Sequence, residues 1–191
     1  MQGSYTAAQT LPHLKKFVEE GGTILAVGGS SMNFAQLFDL PVSNHLVERA
    51  PDGSTTRLPS EKFYVPGSVL KVAVDTTSPI AHGVPAHVDV FFNNSPVFRL
   101  DPDATMKGVR PVAWFDTAAP LRSGWAYGQG YLENGVQVVD ATVGKGRLFL
   151  FGPEITFRAQ PHGTFKFLFN GIYRTPPAAG REGSPEAAPV R

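Results

Sequence analysis

Apolar residues recur at helical spacing near the two ends of the chain and in short, strand-length runs between them. Leu11, Leu14, Phe17 and Val18 fall on one face, with Lys15, Lys16, Glu19 and Glu20 opposite. That period predicts an amphipathic helix, capped by Thr10 and ended by Gly21-Gly22. Thr23 to Val27, TILAV, is a continuous apolar run, the pattern of a central parallel strand covered on both faces. Gly28-Gly29-Ser30-Ser31 turns the chain into a second helix, with Ser30 or Ser31 as its cap. Phe34, Leu37 and Phe38 face inward along it until Pro41 ends it.

From 42 to 62 the pattern is polar and turn-rich, with PDGSTTRLPSEK the plainest loop. Strands are predicted over 68–74, 88–92, 96–100 and 109–115. SGWAYGQG, residues 123–130, is too rich in glycine for regular structure and predicts a surface loop whose aromatics pack down onto the sheet. Residues 136–143 and 147–151 flank Gly144-Lys145-Gly146 as a β-hairpin. A closing helix over 164–173 would bury Phe165, Leu168, Phe169 and Ile172. Residues 1–9 read as a lead-in, 10–174 as one α/β domain, and 175–191 as a disordered tail with almost nothing to bury.

The order of these elements is informative. A helix leading into a buried parallel strand needs partner strands, and none precedes it. The expectation is an N-terminally truncated open sheet, its first strands upstream of Met1, with an exposed edge for a partner to cover.

Composition narrows the classes. In 191 residues with 42% hydrophobic, one domain can bury a substantial core. A net charge of +1, with no basic run longer than two, argues against nucleic acid or an anionic membrane as partner. No apolar stretch approaches the roughly 20 residues that span a bilayer, and MQGSYTAAQTLPH has neither the basic region nor the apolar core of a signal peptide. The absence of cysteine excludes disulfides, thiolate metal sites and cysteine nucleophiles.

Two stretches resemble the class I glutamine amidotransferase-like fold. ILAVGGSSMNFAQLF, residues 24–38, resembles the strand and tight turn that carry that family's cysteine, with Gly28 at the cysteine position. Phe151-Gly152-Pro153-Glu154 resembles the family's Phe-His-Pro-Glu segment, with Gly152 for histidine and Glu154 retained. FVEEGGTILAV, FYVPGSVLKV, SPIAHGVP, VFFNNSPVF, SGWAYGQGYL and VGKGRLFLFGPEITFRAQPHGTFKFLFN, in that order, resemble the C-terminal amidotransferase-like domain of bacterial zinc carboxypeptidase-like proteins, the carboxypeptidase A-type metallopeptidases.

The resemblance implies a flavodoxin-like open sheet with added antiparallel strands, acting as an accessory domain beside a peptidase. Amidotransfer needs a thiolate and an imidazole, and glycine supplies neither. The expected function is therefore non-catalytic, with no cofactor on this chain. Its partner would be the peptidase domain of the same parent protein or a second copy of itself, in an extracytoplasmic setting. A ligand would bind, if anywhere, around Gly28, Gly29, Ser30, Ser31, Gly152, Glu154 and Arg158, with Arg158 placed to pair with Glu154 or a ligand carboxylate.

Other constellations were weighed against plainer readings. Neither Ser30 nor Ser31 sits in a Gly-x-Ser-x-Gly elbow, so helix capping accounts for them better than nucleophilic attack. His45-Leu46-Val47-Glu48, with His162 as a third ligand, formally matches a zinc His-x-x-Glu pair, but a surface strand explains it as well. His82 and His87 flank a Gly-Val-Pro turn without a carboxylate-rich context. Trp125, Tyr127 and Tyr131, with Trp114, could form a platform for a sugar or peptide, although aromatics more commonly pack a core. The competing functions are thus a stand-alone carbohydrate- or peptide-binding module and a hydrolase using a Ser/His or zinc His/Glu site.

Overall fold

The structure is a computed structural model that describes residues 7–173. The tail over 175–191 and the first six residues of the lead-in lie outside the described residues. Three helices and eleven strands follow in chain order: α1 (Ala7–Glu19), β1 (Thr23–Val27), α2 (Gly29–Leu37), β2 (Val42–Asn44), β3 (Val47–Arg49), β4 (Thr55–Arg57), β5 (Ser68–Val74), β6 (His87–Phe92), β7 (Phe98–Leu100), β8 (Val109–Trp114), β9 (Leu121–Ser123), β10 (Val136–Val143), β11 (Gly146–Phe151) and α3 (Phe165–Tyr173).

Nine strands make one open α/β sheet. Its spine runs β1-β11-β10-β8-β5-β6, with β7 joining β10 to β2 and β9 added to β5. Only β1 and β11 run parallel, in register from Thr23↔Arg147 to Val27↔Phe151, and the other pairs are antiparallel. β3 and β4 form a separate two-stranded ribbon. The predicted mixed sheet with added antiparallel strands, including the hairpin across Gly144, is what forms.

Strand alternation builds a core on each face. Along β11, Leu148 and Leu150 join Val18, Ala35 and Phe38 under α1 and α2. Phe149 and Phe151 point the other way, toward Phe92, Phe115, Ile80 and Phe167 of α3.

Four local expectations are corrected. First, α1 begins at Ala7 rather than behind a Thr10 cap, and Phe17 is half exposed, its ring lying against Gly22. Second, β1 is an edge strand rather than a central one: it pairs with β11, and its outer edge meets no strand among the described residues. Its apolar side chains other than Ala26 are accordingly only partly buried. Third, α2 starts at Gly29 behind Gly28, with no side-chain cap. The Ser30 and Ser31 hydroxyls instead turn back onto the Val27 and Gly28 carbonyls, at 2.8 and 2.6 Å.

Fourth, α3 buries Phe167 and Gly171 and leaves Phe169 and Ile172 exposed. Gly171 is the reason. A Cβ there would lie 2.5 Å from Cδ2 of Leu25, so the helix approaches β1 along its smallest residue. A count of apolar positions selects the wider stripe and misses the close one.

Candidate functional site

The parallel pairing of β1 with β11 brings two strand ends side by side, and with them the two stretches singled out in the sequence. Gly28 leaves β1 at φ 64° and ψ −141°, a conformation that strains any side-chain-bearing residue. Its N–H donates to the Phe151 carbonyl at 2.9 Å. Three residues beyond that carbonyl, Glu154 reaches back. A Cβ on Gly28 would sit 2.7 Å from Glu154 Oε1, so the carboxylate occupies the space a residue-28 side chain would fill.

Gly152 is closed by backbone. Its N–H donates to the Gln137 carbonyl at 2.8 Å, and a Cβ on it would overlap the Pro96 carbonyl oxygen. Glu154 is an exposed, flexible carboxylate that can swing aside, whereas the Pro96 carbonyl is held between the loop after β6 and the start of β7. Buried Gln137 donates from Nε2 to that same Pro96 carbonyl at 3.2 Å.

A cavity of about 380 Å³ opens beside the turn, bounded by Gly28, Gly29, Met32, Arg57, Asn94 and Glu154 among others. A second, of about 400 Å³, shares Leu46, Arg57 and Asn94 with it and continues to Phe63 and Tyr64. Together they form a groove to which the β3–β4 ribbon contributes Arg57. Arg57 and the asparagines from Asn93 onward were absent from the sequence-based candidates. Asn93 and Asn94 lie in the VFFNNSPVF stretch, which was read only as part of a resemblance, and Arg57 had no signal at all.

No family model matches this chain, and no curated protein matches it. Among solved structures it is similar to a β-galactosidase from Bacillus circulans sp. alkalophilus, at 10% identity and a TM-score of 0.48, over 87% of this chain and 20% of that one. It is also similar to a ThuA-like protein from Bacteroides uniformis ATCC 8492, at 10% identity and a TM-score of 0.46, over 85% of this chain and 61% of that one. The chain therefore spans less than two thirds of the length of either.

The remaining candidates separate. Arg158 does not pair with Glu154: its guanidinium lies over the Phe157 ring, 5.2 Å from the centroid, and lines a different cavity beside Phe91. His45, Glu48 and His162 do not converge. His45 Nε2 lies 3.1 Å from the Glu133 carbonyl, Glu48 pairs with Lys62 at 2.5 Å, and the His162 ring rests near Phe165. Among the described residues no group of three or more His, Asp or Glu side chains is arranged to hold a metal ion. Burial, with Arg99 nearby, lowers the His45 pKa from its ordinary 6.5. His87 pairs with Asp116 at 2.8 Å, and that hydrogen bond lowers the aspartate's pKa.

The aromatics of the glycine-rich segment also depart from expectation. Trp114 is partly buried against one core. Trp125, Tyr127 and Tyr131 are not packed down but stand about half exposed, joined by Tyr64, which the sequence had not suggested.

Proposed function

We propose that this chain is a non-catalytic amidotransferase-like domain whose work is interaction: an accessory domain of a zinc carboxypeptidase-like protein. The observation that carries the first half is the pair Gly28 and Gly152. Neither position supplies a nucleophile or base, and the space of each side chain is taken, by the Glu154 carboxylate and the Pro96 carbonyl respectively. Glu154 alone would orient a base that the chain lacks. Ser30 is an unsuitable substitute, because its hydroxyl is committed to the Val27 carbonyl and no histidine faces it in the hydrogen bonds of the described residues.

The interaction half draws on the sheet edge. Among the described residues the outer edge of β1 pairs with no strand, and Phe17, Phe169, Ile172 and Tyr173 stand exposed on the helices packed against that region. A peptidase domain of the same parent, or a second copy of the chain, would bury them. The peptidase parent and an extracytoplasmic setting are supported by the order of resembling segments alone.

The test is turnover. The purified chain should hydrolyse neither glutamine nor a panel of amide and ester substrates above the buffer rate. Activity that disappears in Ser30→Ala, His45→Ala or Glu154→Gln would overturn the reading and restore an enzyme.

A further inference from the structure

We propose that Tyr64, Trp125 and Tyr127 form a carbohydrate-binding platform, stacking a pyranose ring and presenting its hydroxyls to the adjoining groove at Arg57, Ser60 and Asn94. The aromatic platform stands apart from the turn at Gly28; its groove shares Arg57 and Asn94 with the cavity beside that turn, but the proposal does not depend on what the turn does.

Exposure is the first ground. Trp125 is 54%, Tyr127 50% and Tyr64 41% exposed, and the three are mutual neighbours. The Trp125 and Tyr127 rings lie within 11° of parallel, centroids 6.2 Å apart, while Tyr64 meets Trp125 edge-on at 5.9 Å. Single exposed aromatics are ordinary, but a contiguous cluster marks an interaction surface.

The second ground is how firmly the backbone beneath is held. Tyr64 and Tyr127 exchange both backbone hydrogen bonds, each at 3.0 Å. Buried Ser68 accepts the Trp125 N–H at 2.9 Å and donates to the Trp125 carbonyl at 2.6 Å. Gly124, at φ 98°, packs so closely that a Cβ would lie 2.6 Å from Ser68 Oγ, and a Cβ on Gly128, at φ 70°, would overlap the Lys62 carbonyl oxygen. Packing for stability would have turned the rings inward. Here the hydroxyl and glycines go inward and the rings are held in water, which lowers the ordering cost a ligand must meet.

The ligand class follows from geometry and charge. The C–H face of a pyranose complements the negative face of an aromatic ring, and Tyr64 belongs both to the cluster and to the wall of the second cavity, where Arg57, Ser60 and Asn94 offer polar contacts. Arg57 has no ion-pair partner among the described residues. A polyproline helix repeats every three residues, about 9 Å, wider than the 5.9 and 6.2 Å ring separations. Single-stranded nucleic acid stacks on aromatics too, but along a positively charged groove. Among the residues lining this groove Arg57 is the single cation, and Lys62, beside Phe63 in the chain, is paired with Glu48, so no charged track follows the platform.

The experiment uses the full chain on a glycan array covering plant, bacterial and animal polysaccharide fragments, followed by calorimetry on the best binder. The expected result is saturable binding, weakened at least tenfold in Trp125→Ala and in Tyr127→Ala and unchanged in Met106→Ala, at an exposed residue with no part in either surface. Circular dichroism and thermal unfolding should match the wild type in all three variants. A blank array overturns the proposal, as does glycan binding indifferent to both platform variants. Trp125-dependent binding of a polyproline decapeptide or a dT20 oligonucleotide, in place of a glycan, overturns it in favour of that ligand.

Discussion

The turn at Gly28 and the platform at Trp125 sit on opposite terms with the protein around them. At the turn, the backbone is shaped as if for chemistry, yet the side-chain positions are glycine and their space is filled by neighbours. At the platform, the backbone is locked by glycines and a buried serine, and large side chains stand outside it in solvent. The same residue type thus does two jobs. At 28 and 152 glycine lets the Glu154 carboxylate and the Pro96 carbonyl come close against the backbone, and at 124 and 128 it lets the chain pack against Ser68 and Lys62. Geometry that resembles an active site says little until one asks what the side chains could reach.

Substitutions should separate the two regions, the largest effect coming at the turn. Gly152→Ala drives a methyl into the Pro96 carbonyl, which cannot rotate away. Denaturant unfolding should show a loss of about 3 kcal/mol, the upper end of overpacking costs. A loss below about 1 kcal/mol would mean that the loop before β7 yields, and the contrast between the two regions would collapse.

Ser68→Ala comes next. It deletes both hydrogen bonds to Trp125 and leaves a backbone N–H without its partner, for about 1–2 kcal/mol. It should also shift the Trp125 fluorescence while leaving the turn intact. Unchanged emission would show that the platform does not need its anchor.

The smallest effect is a pH dependence at His45, between two residues that line the first cavity. Because burial lowers its pKa, the folded state binds fewer protons than the unfolded state. Its contribution is therefore fully present above the ordinary value of 6.5, shrinks as pH falls through 6.5, and levels off below the lowered folded value. Unfolding curves of wild type and His45→Gln at pH 7.5 and 5 should diverge, the variant losing less on acidification. Parallel losses would assign the dependence elsewhere.

How much of this was legible in the sequence depended on whether local pattern or distant contact decided each feature. The strands and the hairpin over Gly144 follow from runs and turns that a reader can count, whereas the mixed sheet and the kinship of the two glycine-bearing segments came from a resemblance and not from local pattern. The edge position of β1 does not follow from such runs, because an apolar run looks the same whether neighbours cover one side or two. Phe167 and Gly171 were hidden for a related reason: a glycine adds nothing to an apolar count yet sets the closest approach of α3. Serine at a helix start suggested capping, but Ser30 and Ser31 bond backward once Gly28 takes the cap position. At the candidate site, Gly28 and Gly152 were visible as departures from a motif and Glu154 as its retained member. Arg57, Asn94 and Tyr64 reach their places through loops whose course no local signal specifies.

The ribbon of β3 and β4 carries Arg57 across both cavities, and it is the least secured part of the groove. Three residue pairs hold it together, the side chains of Thr55, Thr56 and Arg57 are exposed, and buried Leu46 and Leu58 pin it at its base. Two strands without a third are only marginally stable on their own. A movement of that ribbon would carry Arg57 with it and merge the cavities that share it. In the language of ensembles, the two cavities are then two readings of one volume. The arginine between them rides on a ribbon of two strands, while the aromatic rings nearby stand on backbone held by Ser68 and two glycines.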